Sequence, residues 1–108
     1  MSTETFLYVI TTGWKSSQPH EIEIWYVEHG GAYYIVAEHR DRTHWVQNIR
    51  HNPAVQVRLG KQGDWQHAQA RVLAADTDPA IVAEVTRLMD VKYNWSDGLI
   101  VEIRPLIE

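Results

Sequence analysis

The residues best suited to chemistry lie in one short stretch, TTGWKSSQPH, residues 11–20. Lys15 supplies a point charge, Ser16 and Ser17 supply hydroxyl donors, and Gly13 lets the backbone turn so that amides converge on an anion. Trp14 and His20 bracket these groups. The same residue types serve a solvated hairpin turn equally well. A Walker A loop is excluded, because the GK[ST] ending is missing and a strand-like run follows where a helix should begin.

A second cluster follows a strand-like run that ends VAEHR. His39, Arg40 and Arg42 gather at a strand-to-helix junction, and Thr43, His44, Trp45 and Asn48 open the helix beyond it. Cations beside a helix N-terminus suit a phosphate, although a capped helix with solvated arginines has the same composition. Metal chemistry has little support. His44 and His51 lie seven residues apart, which places them about 10 Å from each other along a helix. There is no H-E-x-x-H pattern, and no cysteine is present to complete a zinc site. No serine stands in a nucleophile-elbow pattern.

The elements that must position these groups follow from periodicity. Residues 5–12, 20–27, 32–38, 54–60, 65–75 and 99–106 read as six strands. In the second, Ile22, Ile24 and Tyr26 alternate with Glu21, Glu23 and Trp25. Gly30-Gly31 supplies the positive φ of a hairpin before the third. Trp45, Val46 and Ile49 make one helical stripe, capped by Asp41 or Thr43 and ended by Asn52-Pro53. A second helix starts at Asp78-Pro79 and carries Ile81, Val82, Val85, Leu88 and Met89 on one face. YNWSDG reads as a loop. The order β-β-β-α-β-β-α-β, without repeats or linkers, predicts a single mostly β (α+β) domain over residues 1–108.

Composition narrows the function. The chain has 108 residues, 44% apolar and 22% charged, with a formal net charge of −4. No basic field is available for general nucleic-acid binding. No apolar run approaches the roughly 20 residues of a membrane span. MSTETFLYV has no basic n-region or small-residue cleavage site, so export by a signal peptide is not expected. Absence of cysteine fits the cytoplasm. Five tryptophans and five tyrosines in so short a chain can build a core, line a flat ligand's pocket or cement a dimer, and the small core volume leaves some of them for an interface.

TTGWKSSQP (11–19), WY (25–26), GG (30–31) and WVQNIRHNPAVQVRLG (45–60), with YNWSDGLIVEIRPL (93–106) at the end, together resemble the deazaflavin-dependent nitroreductase family. That family belongs to the flavin-binding split-barrel superfamily, with the pyridoxamine phosphate oxidase-like proteins. The resemblance covers about residues 7–106. It implies a six-stranded antiparallel split β-barrel with two short helices, a homodimer, and a cleft at the dimer interface for deazaflavin coenzyme F-420 or FMN. The implied activity is reduction of nitro compounds or quinones; the alternative is a non-catalytic ligand-binding barrel.

By this resemblance Lys15 and Ser16 approach the cofactor phosphate, and Trp45 and Asn48 brace the helix side. Trp14, Ser17, His20, His39, Arg40 and Arg42 complete the expected site. The family usually carries a basic residue at Trp14, a glycine at Ser17 and an arginine at His20.

Overall fold

The structure is a computed structural model and describes residues 4–106. Seven strands form one antiparallel sheet: β1 (Phe6–Thr12), β2 (Pro19–Trp25), β3 (Val27–His29), β4 (Ala32–Ala37), β5 (Ala54–Leu59), β6 (Gln66–Val72) and β7 (Leu99–Pro105). Their spatial order is β2-β1-β5-β6-β7-β4-β3. The sheet curls into a half-barrel, the split-barrel architecture expected from sequence.

The count is seven strands and not six, because the run expected as residues 20–27 divides at Tyr26. β2 pairs with β1, with Leu7 opposite Ile24, whereas β3 pairs with β4, with Val27 opposite Tyr34. The two edges of the sheet are therefore consecutive in the chain. A single buried residue, Tyr26, separates them, so one bend brings the first edge round towards the last. Alternation of Ile22, Ile24 and Tyr26 gave no sign of this break, since all three still face inward.

Two helices position the rest. α1 (His44–His51) follows a 3-10 turn at Arg40–Arg42 that periodicity did not foresee. α2 (Pro79–Tyr93) has fifteen residues, so it is not short, and it absorbs Tyr93 from the segment read as a loop. It ends where Asn94 adopts a left-handed conformation, φ 57°, a common helix stop for asparagine. Asp78 and Pro79 start it as expected. The Asp78 carboxylate accepts hydrogen bonds from Arg71 and from the Ala74 amide. Gly30 and Gly31, φ 58° and 81°, make the two-residue turn from β3 to β4.

Apolar side chains divide between two cores. Leu7, Val9, Ile35, Val57, Val101 and Ile103 fill the barrel, with Val46 and Ile49 of α1 packed among them. Tyr34, Val36 and Ile100 lie on the other face, against Val85 and Met89 of α2. β4 is thus covered on both sides, which explains why AYYIVA is apolar throughout instead of alternating. Each fully buried aliphatic side chain contributes about 1.5–3 kcal/mol, so these two cores fix the frame on which the polar loops are hung. Among the described residues no helix is long and apolar enough to cross a membrane.

Candidate functional site

The loop between β1 and β2 is held by its own backbone. The Gly13 amide donates to the Gln18 carbonyl (2.8 Å), the Ser17 amide donates to the Gly13 carbonyl (2.8 Å), and the Gln18 amide donates to Ser16 Oγ (3.2 Å). A Cβ at Gly13 would meet Ser16 Oγ at 2.5 Å and His20 Nε2 at 2.8 Å, so glycine is what lets these two side chains converge. Ser17 has φ 61°, a conformation free to glycine and strained for serine. That geometry accounts for the glycine usual at this position.

Asn48 ties the loop to the helix. Its Oδ1 accepts from the Trp14 amide (3.1 Å), and its Nδ2 donates to Thr11 Oγ1 (3.0 Å). Asn48 and Thr11 are both buried, and the bonds satisfy groups that would otherwise be costly there. Asn48 therefore acts first as a positioning residue. Trp14 stacks on His51 with ring centroids 4.3 Å apart, and Lys15 Nζ lies 4.7 Å above the Trp14 ring. The loop thus packs along the side and C-terminal half of α1, not at its N-terminus.

Two clefts result, and Trp45 lines both. The first, about 510 Å³, is lined by Gly13, Trp14, Lys15, Ser16 and His20 from the loop side and by His44, Trp45 and Asn48 from α1. The second, about 580 Å³, is lined by Phe6, Trp25, Trp45, Met89 and Trp95, with Glu23, Glu38, His39 and Thr43 at its polar margin. Glu21 and Ile22 of β2 lie on the first cleft, and Glu23 and Ile24 of the same strand on the second. The two spaces therefore follow one strand and meet across one ring.

The second cleft was not anticipated as a site. Trp25 stacks on Tyr93 at 4.6 Å and meets Trp95 edge-on at 6.2 Å. The Tyr93 hydroxyl accepts from the Tyr26 amide (3.1 Å), which fixes this aromatic wall to the bend between β2 and β3. Burial holds the Tyr93 hydroxyl's pKa above its usual value and that of Lys92, its neighbour, below. Thr43 stands at the N-cap of α1, yet its hydroxyl makes no cap bond and is buried without a partner among the described residues. The aromatic excess of the sequence was the one signal for this wall; the WY pair and YNWSDG gave no indication that they face each other.

The expected site residues separate accordingly. Trp14, Lys15, Ser16, His20, Trp45 and Asn48 come together on the first cleft. Ser17 belongs to the same loop but does not line it. His39 lies on the second cleft. Arg40 lines a third pocket and is paired with Asp97 at 2.9 Å, so it does not line the cleft that Lys15 lines. Arg42 lines none of these clefts. No cluster of metal-ligating side chains occurs among the described residues.

This fold and its cleft-lined half-barrel define a split-barrel protein. The match to solved structures is extensive in shape and low in identity. The heme storage protein HutZ from Vibrio cholerae superposes with a TM-score of 0.76 at 14% identity, over 98% of this chain and 84% of that one. General Stress Protein 26 from Bacillus anthracis gives 0.68 at 15% identity, over 94% and 80%. An F420-H2 dependent reductase, FDR-A, gives 0.58 at 22% identity, over 93% and 94%. No curated protein matches the sequence significantly. Residues 2–98 match the model of the F420H(2)-dependent quinone reductase family, and the chain belongs to that family.

Proposed function

We propose that this protein is a deazaflavin-dependent oxidoreductase that delivers a hydride from reduced coenzyme F-420 to quinone-type acceptors. The observation that carries the reading is the pair of clefts meeting at Trp45, one with a lysine and hydroxyls and the other lined by rings. The first cleft's donor set fits the anionic tail of a deazaflavin coenzyme, and the ring-lined cleft leaves room for a flat acceptor beside it.

When bound, the coenzyme supplies the hydride. The chain's own residues supply position and desolvation. Lys15 contributes a charge to the phosphate. The Ser16 hydroxyl, whose oxygen already accepts from Gln18, has its hydrogen left to donate. His20 approaches from the neighbouring strand. Asn48 holds the loop against α1 so that these groups keep one geometry. Trp45 stands between the two clefts, and Trp25 and Trp95 would shield a bound acceptor from water.

The assembly proposed is a homodimer. Trp14 and Trp25 remain 45% and 39% exposed, large apolar areas that suit a partner subunit. Titrating the purified protein with F-420 and, separately, with FMN tests the cofactor. Quinone reduction followed at the deazaflavin absorbance band tests the activity. Tight binding of F-420 with turnover of a neutral naphthoquinone is the expected result. Failure to bind F-420 at high micromolar concentration would overturn the reading.

A further inference from the structure

The two clefts differ in charge, and the difference points to the acceptor. The aromatic cleft carries Glu23 and Glu38, and neither lysine nor arginine is among the residues that line it. Glu38 is exposed there, whereas the Glu23 carboxylate accepts from the Tyr8 hydroxyl (2.5 Å), and those two residues also line a neighbouring pocket with Lys61. Three tryptophans, Trp25, Trp45 and Trp95, line the same space. Ring faces carry negative potential and attract cations within about 6 Å. The N-terminal end of α1, at Thr43, opposes this with a partial charge of about half a unit. The full charge of the Glu38 carboxylate exceeds it.

An anionic coenzyme gains nothing from this charge. The ligand that does gain is flat, aromatic and positively charged. We infer that the 580 Å³ cleft is the acceptor site and that it selects planar aromatic cations over neutral acceptors of the same size. This deepens the reading proposed above and rests on it for turnover, but not for binding.

The chemistry balances. A hydride added to a ring carbon of such a cation forms a new C–H bond, and its electron pair cancels the positive charge, giving a neutral dihydro product. The reduced deazaflavin is the reductant, and the proton it releases goes to solvent. The acceptor needs no proton, so a site without a committed general acid suffices. Loss of charge also weakens the product's hold on the carboxylates, which favours its release.

The test uses the full chain with N-methylacridinium as the cation and acridine as its neutral counterpart, at a pH where acridine is uncharged. Tryptophan fluorescence quenching of the coenzyme-free protein reports binding. The cation is expected to bind about tenfold more tightly than acridine. The Glu38→Gln variant is expected to erase most of that difference, and Trp95→Leu to weaken the cation more than the neutral ring. With reduced F-420 present, the ratio of kcat/KM for the cation to that for a neutral naphthoquinone should fall in Glu38→Gln. Equal binding of cation and acridine to the wild-type chain would overturn the inference, even where naphthoquinone turnover upholds the reductase reading. So would a cation preference untouched by Glu38→Gln and by Glu23→Gln. Cation binding without any turnover would uphold the acceptor-site inference for binding and overturn the reductase reading alone.

Discussion

The two clefts that share Trp45 are built by different forces. The loop-side cleft rests on hydrogen bonds: Asn48 to the Trp14 amide and Thr11, and the loop's own Gly13–Gln18 and Ser17–Gly13 bonds. The aromatic cleft rests on ring contacts, Trp25 stacked on Tyr93 and edge-on to Trp95, backed by the core beneath α2. Hydrogen bonds fix direction and fail sharply when one partner is removed. Ring packing is less directional and yields by degrees. The first cleft is thus suited to holding one fixed anionic group, the second to stacking against a flat one.

Asn48→Ala strikes the hydrogen-bonded cleft at its centre. It leaves the buried Thr11 hydroxyl and the Trp14 amide without their partner, at a cost of about 2–4 kcal/mol. Urea denaturation should show that loss together with weakened F-420 binding. Cation binding in the aromatic cleft should change far less. Equal losses in both clefts would mean that they are one mechanical unit.

Lys15→Met probes the same side without disturbing the frame, since Lys15 is exposed and bonded to nothing buried. Stability should stay within about 0.5 kcal/mol. Coenzyme affinity should fall about tenfold or more, and the loss should shrink at high salt. An unchanged Kd would move the phosphate away from this loop.

How far the sequence reveals this arrangement depends on the range of the interactions. The strands, the Gly30-Gly31 turn, the Asp78-Pro79 start and both helix stripes are local and periodic, and they emerge as expected. The loop-side cleft was legible too, because Lys15, Ser16 and Gly13 are neighbours in the chain and Asn48 follows a recognisable pattern. The aromatic cleft was not. Trp25 and Trp95 are 70 residues apart in number, and only the break of one strand at Tyr26 and the continuation of α2 through Tyr93 bring them together. The Arg40–Asp97 pair has a similar origin: it is a long-range pairing that residue types near position 40 cannot disclose.

Behind the aromatic cleft, Tyr34 offers a probe that is silent at neutral pH. Burial, reinforced by its hydrogen bond to Glu102 (2.9 Å), pushes its hydroxyl up to about 12 from an ordinary 10.0. Folding therefore favours the protonated tyrosine. The stabilisation is complete below the ordinary value and is lost as pH rises through the folded one. Urea midpoints should fall between about pH 10 and pH 12, and Tyr34→Phe should flatten that slope. If the aromatic wall depends on this core, cation binding should decline over the same interval, while the loop-side fold keeps its backbone bonds.

The smallest effect concerns the loop alone. Ser17 holds φ 61°, and a left-handed conformation costs a residue with a Cβ about 1–2 kcal/mol. Glycine removes that strain but gives the unfolded chain more freedom, so Ser17→Gly should stabilise the protein by only about 0.5–1 kcal/mol. The variant also deletes one of the hydroxyls expected near the phosphate. Calorimetry and coenzyme titration on the same sample separate the two roles. A higher Tm with unchanged Kd makes Ser17 a tolerated substitute for glycine and leaves Lys15 and Ser16 as the anion's ligands. A higher Tm with a weaker Kd means that strain is retained for the sake of the hydroxyl, and that the loop offsets the absence of basic residues at Trp14 and His20 with one more donor.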